Sequence, residues 1–234
     1  MAALSAFWQT PVVVSRPLLV LTLGVCALTA CAPASGTVVP TAGATSEPAQ
    51  PVDARAILVS LENDIEAGTA TEADRERAYE TVVASADDGS ADYAFARAAL
   101  AGRLAELRGV GAGKLVTEAE SFARLALERD PDFDEGAATR MLGTLYVMAP
   151  GRLVEHGDAE DGLSLLEDLV EARPEDPRNH LRVAEAYIAL DDPEPAAAFL
   201  CFAHARRADL RRDDQRLLDT LSESLGGKAG LACG

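Results

Sequence analysis

The chain has 234 residues, 48% of them hydrophobic and only 5% aromatic, enough for one substantial folded domain with a buried core. Ala, Leu, Glu and Arg dominate, and straight-chain residues lose little rotamer freedom in a helix, which argues against a sandwich or a barrel. A formal net charge of -17 repels a phosphate backbone, so nucleic acid is a poor partner, and the charge otherwise serves solubility or a basic partner surface.

Residues 1–30 hold one base, Arg16, and no acid, and from Pro17 an apolar run ends in small residues before Cys31. The run is too short to span a bilayer comfortably and reads as a signal peptide over 1–30. Leu28-Thr29-Ala30-Cys31 resembles the lipobox of bacterial lipoproteins, with small residues at the cleavage site and a hydrophobic residue three before the cysteine. The resemblance implies cleavage before Cys31, diacylation of its thiol and a lipid anchor in the membrane. Because Ala32 follows rather than Asp, it also implies sorting to the outer membrane, facing the periplasm. Residues 31–52 then form the lipid-bearing cysteine and a tether of Ala, Pro, Ser, Thr, Gly and Val, with too few large apolar groups to offset the entropy of ordering.

From Asp53 to about residue 227 the apolar residues recur at three and four, the period of an amphipathic helix. The pattern predicts nine helices, over 53–67, 72–86, 91–108, 115–129, 134–148, 159–172, 177–190, 194–208 and 213–225. Gly68 ends the first, Thr71, Ser90, Asp158 and Asp176 are N-caps, and Asp191-Asp192-Pro193 is a tight turn between antiparallel helices. Residues 228–234 are expected to be a flexible tail.

Within this domain His180, Val183, Ala184 and Tyr187, then Ala196, Leu200 and Ala203, follow the spacing W-x2-L-G-x2-Y and A-x3-F of the tetratricopeptide repeat. One copy earlier Leu142, Gly143 and Tyr146 match the first helix, and Gly162, Leu166, Leu169 and Pro174 match the second across an insertion of seven residues. A third second helix is legible in Ala119, Ala123, Ala126 and Pro131. The sequence departs from the pattern at His180, where the family has Trp, and at Ala208, where it has Pro. The chain thus resembles the tetratricopeptide family over about half its length, which implies an all-α solenoid of stacked helical hairpins, with helix 213–225 as a C-terminal cap. Gly143, Tyr146, Gly162, Ala184, Tyr187, Ala196 and Ala203 are the expected packing residues.

The stretch Gly143-Thr-Leu-Tyr-Val-Met-Ala-Pro-Gly151, followed by Gly157-Asp158, Asn179-His180-Leu181 and Ala184-Glu185, also resembles the repeat lipoproteins that accompany tripartite periplasmic (TRAP) transporters. That resemblance implies a homo-oligomer, a ligand-accessible pore and a solute-binding protein as partner.

No motif specifies catalysis or a cofactor. In Gly109-Val-Gly-Ala-Gly-Lys114 a phosphate loop would need Gly in place of Arg108 and Ser or Thr in place of Leu115, and no strand precedes it, so a flexible inter-helix loop is the better reading. Asp130-Pro-Asp-Phe-Asp-Glu-Gly136 spaces carboxylates as a calcium loop does, but its Gly comes one residue late and Met141 stands where the bidentate Glu belongs. Cys201 and His204 share a helical face without a full zinc set. Cys201 and Cys233 either pair, as an oxidising compartment permits, or remain a core thiol and a loose one. The insertion Ala149–Asp158 breaks the repeat, and Pro150, Gly151, Arg152, His156, Gly157 and Asp158 are the candidate partner-binding loop, against a neutral elongation as the alternative. The expected function is a non-enzymatic protein-interaction scaffold of the envelope, with the transporter accessory as second reading.

Overall fold

In the computed structural model, which describes residues 50–231 and Cys233, the domain is a series of antiparallel α-hairpins. The helices are α1 (Ala54–Ala67), α2 (Glu72–Ala84), α3 (Ala91–Arg108), α4 (Gly113–Arg129), α5 (Phe133–Met148), α6 (Ala159–Ala172), α7 (Pro177–Ala189), α8 (Ala196–Ala205), α9 (Arg212–Ser224) and the single turn α10 (Gly227–Gly230). Among the described residues there is no strand, and no helix is long and apolar enough to cross a membrane. Cys31, the signal and most of the tether lie outside the described residues.

Local chemistry sets the boundaries. The Asp53 carboxylate caps α1 through the Ala56 N–H, and Gly68 ends it at φ 74°, a left-handed conformation without cost for glycine, its N–H donating to Asp64 and Ile65. Thr71 with Asp74, and Asp158 with Asp161, form reciprocal capping boxes at the starts of α2 and α6. Ser90 caps α3 and Asp176 caps α7.

The hairpins α3–α4, α5–α6 and α7–α8 stack in chain order, and α1–α2 precedes them. Alanine lets the helices approach closely. Ala98, Ala101, Ala105, Ala119 and Ala123 are buried between α3, α4 and α5 with Met141, Leu142, Leu145 and Tyr146, and Ala184, Ala196 and Ala203 do the same between α7 and α8. At about 25 cal/mol per Å² of apolar surface removed from water, these shared interfaces are what holds a repeat that could not bury its own face alone. Helix α9 closes the stack through Leu217, Leu218 and Leu221, which face Leu181 and Leu200.

Several expectations need correction. The helix expected over 194–208 spans only Ala196–Ala205, because the backbone leaves helical geometry at Arg206 and makes a 3-10 turn, Arg207–Asp209, that aims Arg207 at Asp219. The segment from Gly109 is no loose loop: a 3-10 turn, Gly109–Gly111, leads straight into α4 at Gly113. Helix α5 opens with three left-handed residues, Asp134 (φ 44°), Glu135 (φ 56°) and Gly136 (φ 80°), of which only the glycine adopts that region freely. The tail expected to be flexible is instead held: Leu231 is 6% exposed among the leucines of α9, and Cys233 is disulfide-bonded to Cys201 of α8, Cα to Cα 5.4 Å. One leucine and one cysteine suffice, because α8 and α9 leave an apolar seam at that end.

Candidate functional site

The sequence-predicted loop and an apolar-floored cavity of the domain lie in different places. In the insertion, Gly151–Leu153 is a 3-10 turn and Val154 is buried. The buried Glu120 carboxylate of α4 accepts from the Glu155 N–H at 2.9 Å, the His156 N–H at 2.8 Å and lies 3.2 Å from His156 Nδ1. Thr117 donates to the Leu153 carbonyl at 3.3 Å. Gly157 lies so close to the Tyr146 ring that a Cβ would sit 2.4 Å from it, and Asp158 caps α6. These contacts fasten the insertion to α4 and α5 and lead it into α6. Gly151, Arg152 and His156 remain exposed, Pro150 is half-buried, and His156 borders a shallow groove with Arg124, Tyr146 and Asp161.

The cavity, about 230 Å³, opens on the inner face, where only the odd-numbered helices line it. Its apolar floor is Leu58 and Val59 of α1, Phe95 and Ala99 of α3, and Phe133 and Ala137 of α5. Above the floor stand six guanidiniums: Arg55, Arg103, Arg140, Arg178, Arg182 and Arg211. The helical period produces part of this, since Phe95-Ala99-Arg103 places an aromatic, an alanine and an arginine on one stripe of α3, and Ala137 and Arg140 share a stripe of α5, whereas Phe133 is brought in by the left-handed residues that follow it. Five carboxylates, Glu62, Asp92, Asp134, Asp213 and Asp214, line the same cavity.

Five of the six have a carboxylate within 3.5 Å, although the buried Nε of Arg211 makes no hydrogen bond among the described residues. Arg55 donates to Asp92 at 2.9 Å and lies 3.5 Å from Asp134. Arg103 grips Glu62 bidentately at 2.6 Å, and Arg182 donates to Glu185 and Asp214 at 2.8 and 2.5 Å. Arg178 binds Asp176 and Glu135, both at 2.7 Å, and Arg211 lies 3.1 Å from Glu66 and donates to the Glu62 carbonyl at 2.8 Å. Burial pushes the Glu62 and Asp176 carboxyls up, but the hydrogen bonds and charges of Arg103 and Arg178 outweigh it and hold both below the usual range.

Arg140 differs. Its side chain is 10% exposed, and its one hydrogen bond among the described residues runs to Asn179 Oδ1 at 2.6 Å. The nearest carboxylate, Asp176, is 3.7 Å away and already engaged by Arg178. Burial, and then the like charges of Arg178 and Arg182, pull its pKa down to about 10.

The other candidate sites resolve into structure. His180 stacks on Phe202 with its Nε2 2.7 Å from the Pro174 carbonyl, and His204 Nε2 lies 2.8 Å from Ser222 Oγ while Cys201 is committed to its disulfide. The carboxylates of the calcium-like stretch diverge, Asp132 to Arg173, Asp134 to Arg55 and Glu135 to Arg178. Of the expected packing residues, Gly143, Tyr146, Gly162, Ala184, Ala196 and Ala203 are buried or in close contact between helices, and Tyr187 is half-buried with its hydroxyl donating to Glu167. None of the cavity arginines was singled out from sequence; the available signal was an arginine recurring inside an apolar stripe.

Residues 153–200, from within the insertion into α8, match the family model of the tetratricopeptide repeat. No curated protein matches the chain. The described residues thus form an all-α stack of helical hairpins, and within it the segment 153–200 is similar to the tetratricopeptide repeat.

Proposed function

We propose that the protein is a non-enzymatic interaction scaffold of the bacterial cell envelope, anchored to the outer membrane through lipid on Cys31 and presenting its repeats to the periplasm. The observation that carries this reading is the repeat segment 153–200 within a stack whose inner face is lined by alternate helices, the arrangement by which such repeats receive protein partners. The lipobox-like Leu28–Cys31 supports the anchor. A second reading, an accessory of a TRAP-type transporter that binds a small ligand and a solute-binding protein, is favoured by the apolar-floored cavity, which is too small for a folded partner.

The test is affinity purification after in-cell crosslinking, with partners identified by mass spectrometry and a Cys31→Ala form as control. Envelope-assembly or cell-wall proteins recovered with the lipidated form alone support the scaffold. A solute-binding or transporter protein supports the accessory. Identical recovery from both forms overturns the anchored scaffold.

A further inference from the structure

We propose that the inner cavity binds a small carboxylic acid with a compact apolar body, its carboxylate held by the guanidinium of Arg140. The inference goes beyond the scaffold reading and rests on the second, ligand-binding one. It differs from that reading in naming the chemistry of the ligand.

Each other arginine on the cavity wall has a carboxylate within 3.5 Å, whereas among the described residues the nearest to Arg140 is Asp176 at 3.7 Å, which Arg178 holds at 2.7 Å. A guanidinium carries five donors in a planar fork that matches a carboxylate bidentately. Arg140 spends one of its nitrogens on the neutral Asn179 amide oxygen and borders the cavity with nine-tenths of its side chain buried. A buried cation in that condition costs free energy that an entering anion recovers, and the low local dielectric strengthens the bond. A carboxylate suits the fork better than a halide, and a single charge suits it better than a dianion, because the neighbouring arginines are already neutralised.

The body of the ligand follows from the floor. Phe95, Phe133, Leu58 and Val59 offer aromatic and branched aliphatic surface, and the wall carboxylates Glu62, Asp92, Asp134, Asp213 and Asp214 would repel a second anionic group. An apolar cavity of about 150 Å³ accepts benzene, so roughly 230 Å³ takes a ring or short branched chain with its carboxylate. The C-terminus of a peptide carries the same anionic group, but its backbone would bring N–H and C=O groups onto a floor that cannot satisfy them.

The experiment is isothermal titration calorimetry of the full chain in detergent with benzoate and cyclohexanecarboxylate, their uncharged amides, and a short phenylalanine-terminated peptide with free or amidated C-terminus. Saturable binding of the acids, with the amides at least tenfold weaker, is expected. Arg140→Gln should weaken the acids at least tenfold and leave the amides unchanged, and Arg140→Lys should restore part of the loss. Ala99→Leu, which fills the cavity and keeps Arg140, should abolish binding, and this variant with the acid-to-amide ratio of the natural chain decides the matter if Arg140→Gln fails to fold. Equal affinity for acid and amide, no saturable binding of either acid, or binding of the free-C-terminal peptide alone would each overturn the proposal. Because the titration needs no partner and no lipid, its outcome is separate from that of the crosslinking experiment.

Discussion

Gly143 and Gly162 meet backbone to backbone where α5 crosses α6: a Cβ on Gly143 would lie 2.9 Å from the Gly162 carbonyl oxygen, and one on Gly162 would lie 2.7 Å from that of Gly143. In an exposed helix, replacing Gly by Ala gains about 0.5–1 kcal/mol through lower backbone entropy. Here the opposing contact is backbone, which cannot rotate away, so overpacking at about 1–3 kcal/mol wins. Gly143→Ala and Gly162→Ala should each lower the urea midpoint with an unchanged m-value. A raised midpoint would mean the helices separate at no cost.

Glu120 holds the insertion by accepting the Glu155 and His156 amides. With Glu120→Ala two N–H donors lose their partner, at about 1–3 kcal/mol for each one left unsatisfied. The loss should fall on the loop before it falls on the domain. Hydrogen exchange at Glu155 and His156 should speed by at least tenfold, while amides in α7 and α8 keep their rates. Equal acceleration everywhere would show that Glu120 supports the whole fold rather than the loop.

Helix positions were legible because hydrophobic period, caps and stop residues all pointed one way: Thr71, Ser90, Asp158 and Asp176 cap where the sequence places them. The ends that drifted are those set by distant partners, such as Arg207 turning toward Asp219. The cavity escaped the sequence for a related reason. Arg140 is chemically an ordinary helix residue, and its deficit of partners exists only once Arg178 has taken Asp176 from it. Likewise, the insertion read as the natural binding loop because it interrupts a repeat, yet the residue that binds it down, Glu120, lies 36 residues before the His156 it holds.

The Cys201–Cys233 bond closes a loop across a sequence separation of 32 residues. Chain entropy assigns such a crosslink about 3–4 kcal/mol, by restricting the unfolded chain. Cys233→Ser should therefore lower the melting temperature, and thiol titration of the natural unfolded chain without reductant should find both sulfurs unreactive. Free thiols at full stability would contradict the bond.

At the start of α2 the Asp74 carboxylate accepts from the Thr71 hydroxyl at 2.6 Å and the Thr71 N–H at 2.9 Å. These bonds, hydroxyl first and then amide, with Arg77 adding to them, hold its pKa down to about 2 against an ordinary 3.8. The folded value is depressed, so the capping contribution is complete above the unfolded value near 3.8 and disappears as pH falls through 2. A carboxyl-detected NMR titration should place Asp74 near 2, and Thr71→Ala should return it toward 3.8. A midpoint unmoved by Thr71→Ala would remove the hydroxyl as the cause.

Arg103 ties the first helix of the described domain to α9 near its other end: it grips Glu62 of α1 bidentately and lies 3.4 Å from Asp213 of α9, with Glu106 at 3.2 Å. Replacing it by Met keeps most of the volume but leaves a cluster of carboxylates without its central cation, which costs about 3–5 kcal/mol. The penalty should depend on pH. In the natural protein Glu62 is held below its ordinary 4.5 chiefly by Arg103 against the opposing pull of burial, so its contribution is present above that value and is lost on acidification. In Arg103→Met burial acts unopposed by that partner, the Glu62 pKa rises above 4.5, and protonation relieves the repulsion. The stability gap between the two proteins should be wide at pH 7 and narrow towards pH 3, as read from urea midpoints. A gap that stays constant over that range would assign the loss to packing alone and leave the ends of the repeat stack without an electrostatic clasp.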